Sequence, residues 1–210
     1  GAGGYLTRLR EGFDFLRGEP LLRSIVGMVA VTNLIDAAFA GVLLPVWAKQ
    51  TGGGPAMIGL LGSLTGAFAI GGSLLAAWLA ERLPRRATYL VGYFVAGAPR
   101  FVVLALDAPL WLTLGVFAVG GFGAGFINPI IGAVFYERVP RAMLGRTNAL
   151  ADAIAWAGIP FGGLAAGVLI GVMGLGPTFL VLGGAYLITT TLPGLRREWA
   201  TMNRTAAHGQ

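Results

Sequence analysis

Residues 153–195 contain no Asp, Glu, Lys, Arg or His, and neither do residues 50–80. A helix needs about 20 apolar residues to cross the hydrocarbon core of a bilayer, so uncharged stretches of this length have few other solvents in which to fold. Soluble domains carry about 25% charged residues. This chain has 11%, with 56% hydrophobic residues and a mean hydropathy of +0.75. One water-soluble core of 210 residues could not hide so much apolar surface. The expected fold class is all-α: a polytopic membrane protein.

The charges act as rulers. Between Arg23 and Lys49 the only charge is Asp36, which sets span one at about 24–47. The turn signal Thr51-Gly-Gly-Gly-Pro55 starts the next segment, leaving span two at about 57–80. Span three, about 87–106, lies between Arg86 and Asp107 and contains Arg100; span four is about 110–135. Residues 153–195 are too long for one crossing and are broken by Gly171, Gly174, Gly176 and Pro177. Span five is therefore about 148–172 and span six about 177–194. The organisation expected is a linker at 1–21, a six-helix bundle at 22–195 and a tail at 196–210.

Orientation follows from the Lys/Arg bias. The N-terminal segment (Arg8, Arg10, Arg17, Arg23), the loop after span two (Arg82, Arg85, Arg86), the loop after span four (Arg138, Arg141, Arg146) and the tail (Arg196, Arg197, Arg204) all fall on one side. The opposite side has only Lys49. Both termini are expected in the cytoplasm, with the bundle in the inner (plasma) membrane. The net charge of +6 and pI of about 10.5 do not argue for nucleic acid, because the basic residues sit in clusters between apolar runs.

Before span one, Leu6, Leu9, Phe13 and Leu16 recur at helical spacing, with Arg8, Arg10 and Arg17 on the other faces. That pattern fits an amphipathic helix at the interface or a solvated linker helix. No short apolar core with a cleavage site is visible, so no cleavable signal peptide is expected; a start at Gly1 rather than Met fits a piece of a longer product. The tail from 198 onward is polar and reads as disordered.

Asp36 lies near the middle of span one, with Asn33 one turn earlier. A carboxylate at the bilayer centre costs roughly 2.5–3.5 kcal/mol on insertion scales. It must be protonated, paired or facing water. A cavity position would suit proton binding and release; the other reading is a neutral Asp hydrogen-bonded to a neighbouring helix. Arg100, near the outer end of span three, either snorkels to the interface or pairs with a carboxylate or substrate. In span four, Pro129 removes a backbone hydrogen bond and can kink the helix. The freed carbonyl is tolerated beside a cavity, making Phe122, Phe126 and Asn128 cavity candidates, unless they simply pack or face lipid. Gly-xxx-Gly spacings recur at Gly62/Gly66, Gly121/Gly125, Gly158/Gly162 and Gly163/Gly167/Gly171. The last reads as the best packing stripe.

At the basic end, an acid at a helix terminus can pair with neighbouring cations and latch a gate. Glu81, Arg82, Arg85, Arg86, Glu137, Arg138, Arg146 and Asp152 are the candidates, and Asn148 could cap the start of span five. No enzyme constellation is present. Cysteine is absent, the single His208 lies in the tail, and no Gly-rich loop ends in Lys-Ser/Thr. No metal or cofactor is expected. Asp36 and Asp152 differ too much in depth to serve as a paired aspartyl protease site.

The loop Ala77-Trp-Leu-Ala-Glu81-Arg82-Leu-Pro84-Arg85-Arg86 resembles the degenerate second copy of the signature loop of the major facilitator superfamily. Ala77 and Pro84 stand where that loop usually has Gly, and Glu81 where it has Asp. Two further stretches resemble drug, macrolide and siderophore exporters of this superfamily. Arg10-Glu-Gly-Phe-Asp-Phe-Leu-Arg17 with Pro20-Leu-Leu-Arg23 is similar to the linker entering their seventh helix. Val139-Pro140-Arg-Ala-Met-Leu-Gly145-Arg146-Thr-Asn148 is similar to their loop between the tenth and eleventh. Gly158-Ile-Pro160-Phe-Gly162-Gly163 loosely resembles the antiporter motif of the fifth helix. The resemblance spans residues 10–195 and implies the C-terminal six-helix half of a twelve-helix transporter.

Such transporters nest three-helix inverted repeats within each half. The resemblance implies that spans one and four line the substrate cavity, two and five face the other half, and three and six face lipid. The implied partners are the bilayer, an N-terminal six-helix half (in the same chain or a separate one) or a second copy, and a small-molecule substrate. The implied function is proton-coupled efflux of small amphipathic molecules by alternating access. The alternative is a non-transporting scaffold or an inactive fragment.

Overall fold

The computed structural model describes residues 2–79 and 82–203. Six helices among them are long and apolar enough to cross a membrane: span one (Pro20–Gln50), span two (Gly54–Leu79), span three (Arg85–Ala105), span four (Leu110–Arg138), span five (Arg141–Met173) and span six (Leu175–Leu195). The chain is an integral membrane protein built as a six-helix bundle. A shorter helix, Ala2–Gly18, precedes span one.

Several spans are interrupted where the sequence weakens the helical ladder. Span one passes through a π-helical turn at Phe39–Leu43, followed by Pro45. Such turns frequently mark functional sites. Span three breaks at Gly97, two residues before Pro99. Span four breaks at Gly125–Phe126, before Pro129. Span five breaks at Ala157–Gly158, and Pro160 sits in the first turn of its second piece, where a missing N–H costs nothing.

Span two packs most heavily on four, four on three, three on six and one on five, and span one also meets two and six. Exchanging spans one, two and three with four, five and six carries the two–four pair onto five–one and the four–three pair onto one–six, and leaves three–six in place. That is the contact signature of two inverted three-helix repeats. Close approach of two pairs depends on glycine. A Cβ on Gly121 would overlap the Thr65 carbonyl, and one on Gly72 the Phe122 carbonyl, between spans two and four. A Cβ on Gly162 would overlap the Leu34 carbonyl and lie 2.8 Å from the Ala38 nitrogen, between spans five and one. Gly158 faces Leu34 at 3.2 Å. Gly163 only meets Val42, at 3.6 Å, and Gly167 and Gly171 face open space. Close packing inside this bundle thus uses Gly158 and Gly162, one face round from the stripe expected at Gly163, Gly167 and Gly171.

Only 11% of the most apolar window of span two and 17% of that of span five is buried in the bundle, against 33–44% for the others. Ile70, Leu74 and Trp78 on span two and Phe161, Leu164, Val168 and Val172 on span five are exposed.

The basic ends are tied together. The Ala2–Gly18 helix docks on the start of span five, where Arg146 meets Glu11 at 2.8 Å; Leu16 is buried and Phe13 exposed. Side chains of Leu6, Arg8 and Leu9 lie outside the described residues. The beginning of the tail is packed rather than disordered. Arg197–Ala200 and Thr201–Asn203 form successive helical turns in which Trp199 and Met202 are buried. Trp199 lies against Tyr89 and its Nε1 donates to Ser24 Oγ at 2.9 Å. A polar composition hid this because one large aromatic anchors the segment. Arg204 and His208 lie outside the described residues.

Candidate functional site

A cavity of about 530 Å³ lies between spans one and four, floored by spans three and six and flanked by span two. Span one contributes Thr32, Asn33, Asp36 and Phe39; span four contributes Phe117, Gly120 and Asn128; Thr65, Tyr93, Arg100 and Tyr186 complete the wall.

Asp36 and Arg100 are brought together here. Arg100 Nη2 donates to Asp36 Oδ1. The break at Gly97 lets Tyr186 occupy the space a Cβ would need and starts the helical piece that carries Arg100. The guanidinium also lies over three rings: Phe39 at 4.6 Å, Phe101 at 5.1 Å and Tyr186 at 5.5 Å. Phe39 is the first residue of the π-helical turn. Arg100 therefore does not snorkel. A cation over aromatic faces gains about 0.5–2 kcal/mol as it is desolvated. The Asp36 side chain is 40% exposed against 21% for Arg100. The carboxylate is thus the member of the pair that water in the cavity can reach.

Asn33 Nδ2 donates to the Ala155 carbonyl at 3.0 Å, fastening span one to span five while its edge lines the cavity. Asn33 and Asn128 also border a second hollow of about 490 Å³ between spans one, four and five, toward the basic end. Asn148 and Asp152 lie there. Asp152 is exposed and, among the described residues, has no ion-pair partner. It faces the hollow rather than a loop cation. Asn148 Oδ1 is buried there without a hydrogen bond and does not cap span five.

Phe122 and Phe126 are not part of the central cavity. They pack edge to face at 5.4 Å, and Phe126 lies with Ala76, Arg85 and Pro129 where spans two and four meet. The residues that sequence reasoning missed are Thr32, Phe39, Tyr93, Phe101 and Tyr186. The only sequence signal for them was an intramembrane Arg100, which needs desolvated partners.

At the basic end, Arg85 grips Glu137 through Nη1 and Nη2, at 2.6 and 2.7 Å. Arg86 donates to the Gly194 carbonyl at the end of span six, at 3.1 and 2.5 Å. Arg138 links the linker and the tail, reaching Glu19 at 3.4 Å and the Thr201 carbonyl at 2.8 Å. Arg82 is exposed, and Glu81 lies outside the described residues. The Arg85–Glu137 pair is partly solvated, and such pairs contribute about 0.2–1 kcal/mol. Glu137→Gln is expected to cost no more than about 1 kcal/mol. A thermal-unfolding loss several times larger would show that the latch anchors the fold.

The sequence model of the Major Facilitator Superfamily matches residues 26–199. The chain belongs to the Major Facilitator Superfamily. It is 31% identical over 198 residues to the multidrug efflux pump Tap of Mycolicibacterium fortuitum, an alignment covering 91% of this chain and 47% of that protein. It is 30% identical over 210 residues to the multidrug efflux pump Tap of Mycobacterium bovis (strain BCG / Pasteur 1173P2) and to that of Mycobacterium tuberculosis (strain ATCC 25618 / H37Rv), covering 92% of this chain and 46% of each. The chain spans about half the length of the curated relatives it matches. No solved structure gives a significant match.

Proposed function

We propose that this chain is the C-terminal half of a secondary transporter that exports small amphipathic molecules in exchange for protons. It would sit in the inner membrane with both termini in the cytoplasm. The observation that carries this reading is the Asp36–Arg100 pair in the wall of the cavity between spans one and four. A proton arriving on Asp36 cancels its charge and ends the attraction across the pair. Arg100 remains held by Phe39, Phe101 and Tyr186, so the proton can leave again without a large rearrangement of the cation. Span one is free to shift relative to span three in one protonation state and held to it in the other. That is the differential contact a coupling ion must make.

The exposed apolar faces of spans two and five support an opposing six-helix half, against which this half would rock. The mostly aliphatic and aromatic cavity wall, with a few amides and hydroxyls, suits an amphipathic substrate. Multidrug efflux pumps among the relatives support the outward direction. The arginines gathered at one end support the cytoplasmic placement of the termini.

The test is transport in everted membrane vesicles carrying the natively expressed protein, followed with a fluorescent amphiphile. Accumulation is expected to collapse when a protonophore dissipates the pH gradient, and to survive removal of ATP while an imposed gradient lasts. Accumulation that needs ATP and ignores the gradient would overturn the reading.

A further inference from the structure

Spans one and six meet near the basic end in a groove of about 410 Å³ that takes no part in the central cavity. Its rim carries Arg23 and Arg196, with Glu198 as the one acid in its lining. Both arginines are exposed. Arg23 spends one nitrogen on the Arg17 carbonyl, at 3.0 Å, and Arg196 stands 3.9 Å from Glu198. Most of their donors therefore point to solvent. Below the rim the wall becomes apolar. Ile188 and Leu192, one turn apart on span six, are each 58% exposed. Opposite them Gly27 lies one turn below Arg23, with no atom within 4 Å of where a Cβ would stand. The groove is thus a cationic rim beside an apolar trough.

We propose that this groove binds one anionic phospholipid. The phosphate is held between Arg23 and Arg196, and an acyl chain lies along Gly27, Ile188 and Leu192. Guanidinium forks match phosphate oxygens in pairs. A soluble anion would use the rim and leave the trough empty. A zwitterionic lipid would bring its own cation against two arginines. The site lies outside the proposed coupling machinery and does not depend on the transport reading.

The test uses the delipidated, purified protein with three probes: phosphatidylglycerol, phosphatidylcholine of the same acyl chains, and inorganic phosphate. Native mass spectrometry reads the bound lipid, and thermal unfolding reads its effect. One phosphatidylglycerol is expected to stay bound and raise the midpoint more than phosphatidylcholine does. Each arginine at a membrane surface contributes a modest attraction to anionic lipid, so Arg23→Gln with Arg196→Gln should weaken phosphatidylglycerol binding by about 30-fold. Gly27→Leu keeps every charge, fills the trough and should weaken it too, which keeps the proposal testable if the double variant folds poorly. Arg197→Gln, outside the groove lining, should bind as the parent does. Equal binding of the two lipids, or unchanged binding in Gly27→Leu, overturns the proposal. So does a full midpoint shift with inorganic phosphate alone, which would mark an anion site without a lipid.

Discussion

Arg100→Gln, with Asp36 left in place, is expected to cost about 2–3 kcal/mol and, under the proposed proton exchange, to stop gradient-driven efflux by the whole transporter, while Asp36→Asn costs only about 1 kcal/mol yet stops it too. Breaking a buried ion pair by removing one partner costs about 3–5 kcal/mol, because a charge is left in a poor solvent. Here the two single changes are unequal. Removing the cation strands a carboxylate with no other cation in contact among the described residues, softened by its 40% exposure. Removing the carboxylate leaves the guanidinium over Phe39, Phe101 and Tyr186, which continue to stabilise it. The double variant should fall between the two. Graded denaturation of the protein in mild detergent, with vesicle transport on the same preparations, gives both numbers. Equal losses for the two single variants would remove the aromatic faces from the account. Undiminished pH-driven efflux in Asp36→Asn would remove the carboxylate from coupling.

Gly121→Leu and Gly162→Leu are expected to be worse still, costing more than about 3 kcal/mol each and leaving little folded protein. Overpacking a well-filled core usually costs about 1–3 kcal/mol, because neighbouring side chains can move aside. At these positions the new atoms meet main chain. A Cβ on Gly121 would run into the Thr65 carbonyl, and one on Gly162 into the Leu34 carbonyl while lying 2.9 Å from Ala37 Cβ. Relief requires span two to part from four, or span five from one. Ser73 Oγ donates to the Gly125 carbonyl at 2.9 Å in the first of these seams and would lose its partner. Gly115→Leu is the control, since nothing lies within 4 Å of its Cβ position. Expression and unfolding midpoints of the three variants should separate cleanly. Comparable midpoints for Gly115→Leu and Gly162→Leu would show that the seam is looser than drawn.

The membrane fold was legible because charge placement bounds the apolar runs, and a bilayer tolerates few misplaced charges. Asp36 was legible for the same reason: a lone acid in mid-span has to be explained. Its partner was not. Asp36 and Arg100 are 64 residues apart, and the approach depends on the break at Gly97 and the wide turn at Phe39–Leu43. Neither leaves a periodic trace. Glycine spacing also under-determines the packing face. Gly163, Gly167 and Gly171 share the four-residue interval of Gly158 and Gly162, yet only the latter pair meets a neighbouring backbone or side chain closely. Spacing names a stripe, and only the neighbour decides which stripe is used. For Phe122 and Phe126 the choice between cavity and packing stayed open for a related reason, since Pro129 interrupts the helix without saying which side faces the cavity.

The packing order has a bearing on how the chain is made. Span two finds its closest neighbour in span four, and span one in span five. While only spans one to three of this bundle have been delivered, the glycine seams of one and two have no partner within it to close on. Neither three-span repeat holds both sides of either seam. The seam of span two can close when the fourth arrives and that of span one when the fifth does, and the sixth completes the bundle against spans three and one.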